Sequence, residues 1–403
     1  MKRAIVLAMV ACLGLAMAQG RTVNLLWSGA VTGPTSDVGG PYAAGIEDYC
    51  KYANEQKLIP NVTLNCTVRD DQYQNPNTQR IFEEALDRAK PAIYLGYSTG
   101  AMLQLKPLIN EVKMPTIPAS AHIGLIEPPN NQYIFLPVSS YSEQFVALLE
   151  YINRELKKNA KVALVVNPSP FGRAVVDVSR RAAARLGQTI VDVREVGGGN
   201  LDNTALLRAL DAAGAEFILH QNVAGPVANI LKDAKRLGLD KKIKQLGAVY
   251  TGGADLIRLA GDAAGGFLWA SSYYTLDENA PGIILQKQLA AKYNRSADTL
   301  NSTNYTAGML ATAIAVEAMK RAAQRFNGRI NNETVYQALI GMNGPNAFKP
   351  GFAVSTKAGI EIDFTRTEQT GAEGLRVLEA KGGKFVPVTE PFTSTLFRQV
   401  RNP

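Results

Sequence analysis

The sequence predicts an α/β protein of two lobes, each built on a parallel sheet wrapped by helices, with the chain passing between the lobes more than once. Three observations carry this. Short apolar runs alternate with amphipathic stretches from Val23 onward, with only brief loops between them, which is the pattern of a parallel sheet covered on both faces. The alternation halts after Tyr133-Ile134-Phe135-Leu136 and then begins again, marking a second unit. A chain of 403 residues, 46% hydrophobic and 19% charged, is also long enough for two cores.

Residues 1–18 read as a secretory signal peptide: Met1-Lys2-Arg3 is a basic start, residues 4–15 an apolar core, and Ala16-Met17-Ala18 a small-residue cleavage site. The apolar run is too short to span a bilayer, so a periplasmic or otherwise extracytoplasmic protein is expected. Cys12 is a candidate for lipid attachment, but Met9-Val10-Ala11 before it lacks the usual leucine, which favours cleavage after Ala18. Without Lys2 and Arg3 the net charge falls from +8 to +6, and the basic residues are spread over many helices without aromatic clustering. They read as solvated helix faces, not as a nucleic-acid surface.

Val23 to Trp27 is the first expected strand, followed by a turn-rich loop to Pro34 and a helix over residues 42–54; a strand over 62–68 and a helix over 78–89 come next. Cys50 and Cys66 fall in the first helix and second strand, which pack together in such a unit, leaving a disulfide and a pair of buried thiols both open. Ala92 to Leu95 is the third strand, and it runs at once into Gly96-Tyr97-Ser98-Thr99-Gly100 and a helix over 101–112 with the apolar stripe Met102, Leu105, Leu108, Ile109 and Val112. Met114 to Pro118 reads as a fourth strand, closed by Ala119-Ser120-Ala121 and His122. In an open parallel sheet, ligands bind outside the carboxyl ends of the strands. Ser98, Thr99, Ser120 and the amides beside them are therefore candidates to hold a carboxylate or amide oxygen.

The second unit opens at Ser140 and Glu143, read as a capping box for a helix with the stripe Phe145, Leu148, Leu149, Ile152 and Leu156. Strands follow over 161–166, 189–196, 216–220, 245–249 and 266–270, alternating with helices. After a polar stretch over 271–280, three helices over 282–293, 303–325 and 333–340 have no strands between them, so they are expected to return to the first sheet. The strand-like end over 352–400 is expected to join the second. The expected lobes are 19–138 plus 272–346 and 139–271 plus 347–403, with crossings near Val138, Ser271 and Asn346.

Catalytic sets are missing from this sequence. His122 and His220 are its only histidines, and GxSxG, GxxxxGK, HExxH and CxxC do not occur. Gly197-Gly198-Gly199 lacks dinucleotide-binding spacing and reads as a turn. Asp70-Asp71 are adjacent residues at a strand end and read as turn and capping groups. No enzyme, cofactor or metal site is expected.

The motifs Gly29-Ala30-Val31-Thr32-Gly33-Pro34 with Gly39 and Gly45, Arg69-Asp70-Asp71-Gln72, Gly96 to Gly100, Pro115 to Ser120, and Ala260-Gly261-Asp262-Ala263-Ala264-Gly265-Gly266 span nearly the whole mature chain. In that order and spacing the sequence resembles the type I periplasmic solute-binding proteins of ABC importers, in the branched-chain amino acid and amide group. The resemblance implies two Rossmann-like lobes joined by three hinge crossings, a solute trapped between them, membrane permease subunits as partners, and a monomer. It carries the carboxylate and amine contacts over to Ser98 or Thr99 and to Ala119, Ser120 and Ala121. Phe171 takes the place of the second-lobe aromatic, with Asn222, Val223, Val249 and Tyr250 as further contacts and Tyr97 beside them.

Two departures bear on the ligand. Val249 stands where amino-acid binders place an acid, and Ala121 where they often place threonine. A buried ammonium without a counter-charge is costly. The expected ligand is therefore a small acid or amide with an apolar or aromatic body, in preference to leucine or valine. A ligand sensor serving a signalling partner is the alternative, although a sensor usually continues into a membrane helix and this chain stops at Pro403. A secreted enzyme is a more distant one.

Overall fold

The computed structural model describes residues 20–357 and 360–401. The expected signal peptide and Cys12 lie outside the described residues.

In the first lobe, β1 (Arg21–Gly29) runs down the middle, with β2 (Val62–Asp70) on one side and β3 (Ile93–Leu95) on the other, all parallel. The expected fourth strand contracts to one residue, Thr116, bridging Tyr94 on one side and Ile134 on the other. The cause is local: Pro115 and Pro118 have no N–H to give a ladder. Helices α1 (Ser36–Glu55), α2 (Asn75–Asp87) and α3 (Thr99–Glu111) connect these strands. The first of them starts six residues earlier than the sequence pattern indicated, with Pro41 inside it. Tertiary contact overrides the Gly39-Gly40-Pro41 breaker, since Gly39 lies so close to the Ala30 carbonyl that a side chain would not fit. Cys50 and Cys66 form a disulfide with Cα atoms 6.4 Å apart, tying α1 to β2.

The chain leaves the first lobe through β4 (Leu136–Val138) and enters α4 (Tyr141–Tyr151). Ser140 caps α4 by accepting the Glu143 N–H at 3.2 Å. The second half of the expected capping box is absent, because the Glu143 carboxyl turns to the Ser394 backbone instead. Next come β5 (Lys161–Val166), α5 (Pro170–Arg173), α6 (Val176–Arg185), β6 (Thr189–Glu195), α7 (Thr204–Ala212), β7 (Phe217–Gln221), α8 (Ala224–Arg236), β8 (Lys244–Gly247), α9 (Ala254–Ala260) and β9 (Leu268–Ser271). Their strands are parallel, in the order β9-β8-β7-β5-β6.

Helices α10 (Pro281–Lys292), α11 (Ala297–Asn301), α12 (Thr303–Arg325) and α13 (Asn332–Leu339) then return to the first lobe. Two features seat them. Asp48 of α1, with no exposed surface, takes a two-point contact from Arg295 at 2.7 Å and the Tyr305 hydroxyl at 2.8 Å. Gly45 of α1 and Gly308 of α12 meet where the helices cross, and a methyl on either would strike the other helix's backbone at the Tyr305 and Tyr42 carbonyls.

Residues after Asn346 keep contact with first-lobe residues. Phe364 donates its N–H to the Met342 carbonyl and packs on Phe135 with ring centroids 5.1 Å apart. Strand β10 (Thr370–Ala372) pairs with β4, so the chain is still beside the first lobe at Ala372. The Gly344-Pro345 turn imitates a linker in sequence, but Phe348 bridges back to Ile362 and keeps the segment in place. Beyond it, β11 (Arg376–Lys381) and β12 (Lys384–Pro387) join the β9 edge as an antiparallel hairpin, so the second sheet is mixed where parallel strands were expected. The short α14 (Phe397–Val400) packs on α4 and α6.

Candidate functional site

Strand order alone locates a crevice in each lobe. In the first, the chain goes from β1 to β2 on one side and then to β3 on the other, so the loops after β1 and β3 diverge at a switch point. In the second, β5 is followed by β6 on one side and β7 on the other, so the loops after β5 and β7 diverge likewise. The two switch points face one another. Thr35, Val38, Tyr97, Ser98 and Thr99 line a cavity from the first side, and Phe171 and Val223 from the second.

On the first-lobe wall, Ser98 caps α3 by accepting the Ala101 N–H at 3.5 Å, and Thr99 opens the helix with amides that have no helical carbonyl to bond. The Thr99 and Ser120 hydroxyls are 2.7 Å apart, so Ser120 orients Thr99 from behind, without itself lining the cavity. Ala119 does line it. Its N–H donates to the Gly96 carbonyl, and its own carbonyl accepts the Tyr250 hydroxyl of the other lobe at 2.6 Å. Ala121 is a buried anchor whose carbonyl accepts the Tyr141 N–H at 2.9 Å.

The second-lobe wall is aromatic. Phe171 and Tyr250 are joined by Tyr141, and the three rings stand mutually edge to face. Asn222 is a positioning group: its side chain bonds Asn167, the Val223 N–H and the Val196 carbonyl, fixing the loops after β5 and β7. Val249 also lies outside the lining; its N–H goes to Gln144 Oε1 at 2.9 Å and its carbonyl takes the Trp269 indole N–H. The two valine-for-acid and alanine-for-threonine positions thus fall behind the walls of the cavity. Trp27 and Tyr42 are core residues, stacked at 6.2 Å, while Tyr97, packed edge-on against both, reaches the cavity.

Four lining residues escaped the sequence reading: Thr35, Val38, Tyr73 and Tyr141. Tyr73 follows the Arg69-Asp70-Asp71-Gln72 motif directly. Gln72 and Tyr73 both have positive φ, 55° and 60°, held by the Asp71 carboxylate accepting the Tyr73 N–H at 2.9 Å. An aromatic immediately after a strand end was the available signal. Tyr141 is the first residue of a helix, a position that gave no sign of facing the cleft. Thr35 also has positive φ, 63°, and accepts the Tyr97 hydroxyl through its carbonyl and its Oγ1 at 3.0 and 3.1 Å.

Burial pushes the hydroxyls of Tyr73, Tyr97, Tyr141 and Tyr250 above the usual phenol range, so the walls stay uncharged at any working pH. Among the described residues, none that lines the cavity is a carboxylate. The cavity is about 30 Å³, room for one or two waters. Around it the lobes are held together by the Tyr250–Ala119 bond, by the Ser302 hydroxyl donating to Asp255 at 2.6 Å, and by Arg258 lying 3.5 Å from Asp298. No helix among the described residues is long and apolar enough to cross a membrane.

Two facing α/β lobes with a neutral, aromatic cleft between them have the architecture of a solute-binding protein. Residues 22–384 match the model of the periplasmic binding protein family, and the chain belongs to that family. It is similar to a branched-chain amino acid ABC transporter protein from Thermus thermophilus, solved with bound valine: 70% identity, TM-score 0.92, 94% of this chain and 98% of that one. The fold is shared with a leucine-binding protein from Thermotoga maritima, at 17% identity, TM-score 0.73 and 91% and 98% coverage. A relative from Pseudomonas aeruginosa, the leucine-, isoleucine-, valine-, threonine- and alanine-binding protein, is 19% identical over 61% of this chain; the match spans 65% of that protein's length.

Proposed function

We propose that the protein is the extracytoplasmic receptor of an ABC importer, that it traps a branched-chain amino acid of valine's size between its lobes, and that it delivers the solute unchanged to membrane permease subunits. The observation that carries this is the meeting of two switch-point crevices, with hydroxyls and helix-start amides on one side and aromatic rings on the other. Ser98, Thr99 and the amides of α3 suit the carboxylate, and Tyr97, Phe171, Val223 and Tyr250 suit the aliphatic body. The Thermus protein's valine supports an amino acid over the aromatic acids.

In this reading the lobes are 20–138 plus 273–372 and 139–271 plus 375–401, the third hinge lies near Gly374, and the receptor works as a monomer. Ser139 Oγ, 3.3 Å from both the N and the O of Gly374, ties the first hinge to the third. A cavity of about 30 Å³ admits a solute of amino-acid size only when the lobes part.

The test is mass spectrometry of the small molecules released when the purified protein is denatured. Valine, leucine or isoleucine in about stoichiometric amount supports the reading. A chemically altered product accumulating when the protein is incubated with its ligand would make it an enzyme.

A further inference from the structure

Resting on the reading of the cleft as an amino-acid site, we infer that the ammonium group of the solute is held by aromatic ring faces in a corner made by Tyr141, Phe171 and Tyr250, with no carboxylate as its partner. The geometry is that of three walls meeting. Tyr141 and Phe171 stand at 73° with centroids 5.3 Å apart, Tyr141 and Tyr250 at 65° and 6.2 Å, and Phe171 and Tyr250 at 66° and 5.9 Å. All three rings line the cavity, and a cation seated against a ring face there is attracted by its π density, the more so when water is excluded.

The nearby acids are otherwise engaged. Asp71 is fully buried and accepts the Tyr73 N–H and the Thr78 hydroxyl, the latter at 2.7 Å. Asp255 takes the Ser302 hydroxyl and lies 3.6 Å from Arg258. Asp37 accepts the Gly225 N–H of the second lobe and lines the adjoining pocket, outside the cavity lining. The Tyr250 O–H is already committed as a donor to the Ala119 carbonyl. What the second lobe offers a cation is π density.

The bland alternative is that the rings pack only on the aliphatic side chain. Fluorination separates the two, because it drains the ring face of charge and leaves its shape nearly unchanged. The mature protein would be made with Phe171 replaced by mono-, di- and trifluorophenylalanine. Each form is titrated by calorimetry with L-valine and with L-2-hydroxy-3-methylbutanoate, which carries a hydroxyl where valine carries its ammonium. Thermal melts report folding. The expected result is a stepwise weakening for valine, about tenfold over the series, while the hydroxy acid changes by less than about twofold. Equal responses of the two ligands, or a flat valine series, would overturn the inference and leave the amino-acid reading standing. No binding of either ligand by the unsubstituted protein would overturn that reading and this inference with it. Asp37→Asn serves as the control: the ratio of the two affinities should not change, and a loss confined to valine would give the ammonium to Asp37 and refute the ring assignment.

Discussion

At the scale of single residues, two groups have effects large enough to measure. The Tyr250 hydroxyl donates across the cavity to the Ala119 carbonyl of the opposite wall, and a neutral hydrogen bond of this kind is worth about 0.5–1.5 kcal/mol. Tyr250→Phe should therefore weaken valine binding up to about tenfold by calorimetry. An unchanged affinity would show that closure does not use this bond. Glu143 is the second group. Burial, with Glu373 beside it, raises its carboxyl to about 7, above the value near 4.3 of an exposed glutamate. The folded protein then holds a proton that the unfolded chain releases. The stability this contributes is complete below about pH 4 and is lost as the pH rises through 7. Glu143→Gln cannot release that proton, so its melting temperature should fall less between pH 5 and pH 8 than that of the parent. Glu361, raised to about 7 by burial while accepting the N–H groups of residues 351–353, would supply part of the remaining slope. Parallel melting curves for Glu143→Gln and the parent would contradict the assignment.

At the scale of elements, the crossing of α1 and α12 and the disulfide between α1 and β2 set the first lobe. Gly308→Ala places a methyl against the Tyr42 carbonyl, and overpacking of this sort costs about 1–3 kcal/mol, readable as a lower urea midpoint. Replacing Cys50 and Cys66 together by serine opens a loop of 16 residues, and chain entropy puts the loss near 3 kcal/mol. If the double variant is as stable as the parent, the bond does not constrain the unfolded chain as supposed. Most elements were legible because their apolar period is strong: the stripe of Met102, Leu105 and Ile109 is buried as read. The failures have physical causes. Pro41 concealed the first turn of α1, and Pro115 and Pro118 overstated a strand. Each is a proline whose local rule gave way to a tertiary contact, or whose missing donor removed a ladder.

At the scale of the whole molecule, the alternation of strands and helices foretold two lobes, but sequence alone did not reveal strand order. For that reason the first wall of the cavity was readable from Ser98 and Thr99, whereas Tyr73 and Tyr141 were not: they enter only once the switch points are set face to face. The same arrangement explains why the charge pattern was uninformative, since the cleft is neutral and the charges sit elsewhere. Small-angle scattering tests the central claim, that the lobes close on a solute, most directly. The protein is freed of ligand by unfolding and refolding, then measured with and without saturating valine. The account predicts that the ligand-free particle is larger than this structure, and that valine lowers the radius of gyration until the curve matches the closed lobes held by Tyr250, Ser302 and Arg258. Identical curves with and without valine, under conditions where calorimetry shows it bound, would contradict it.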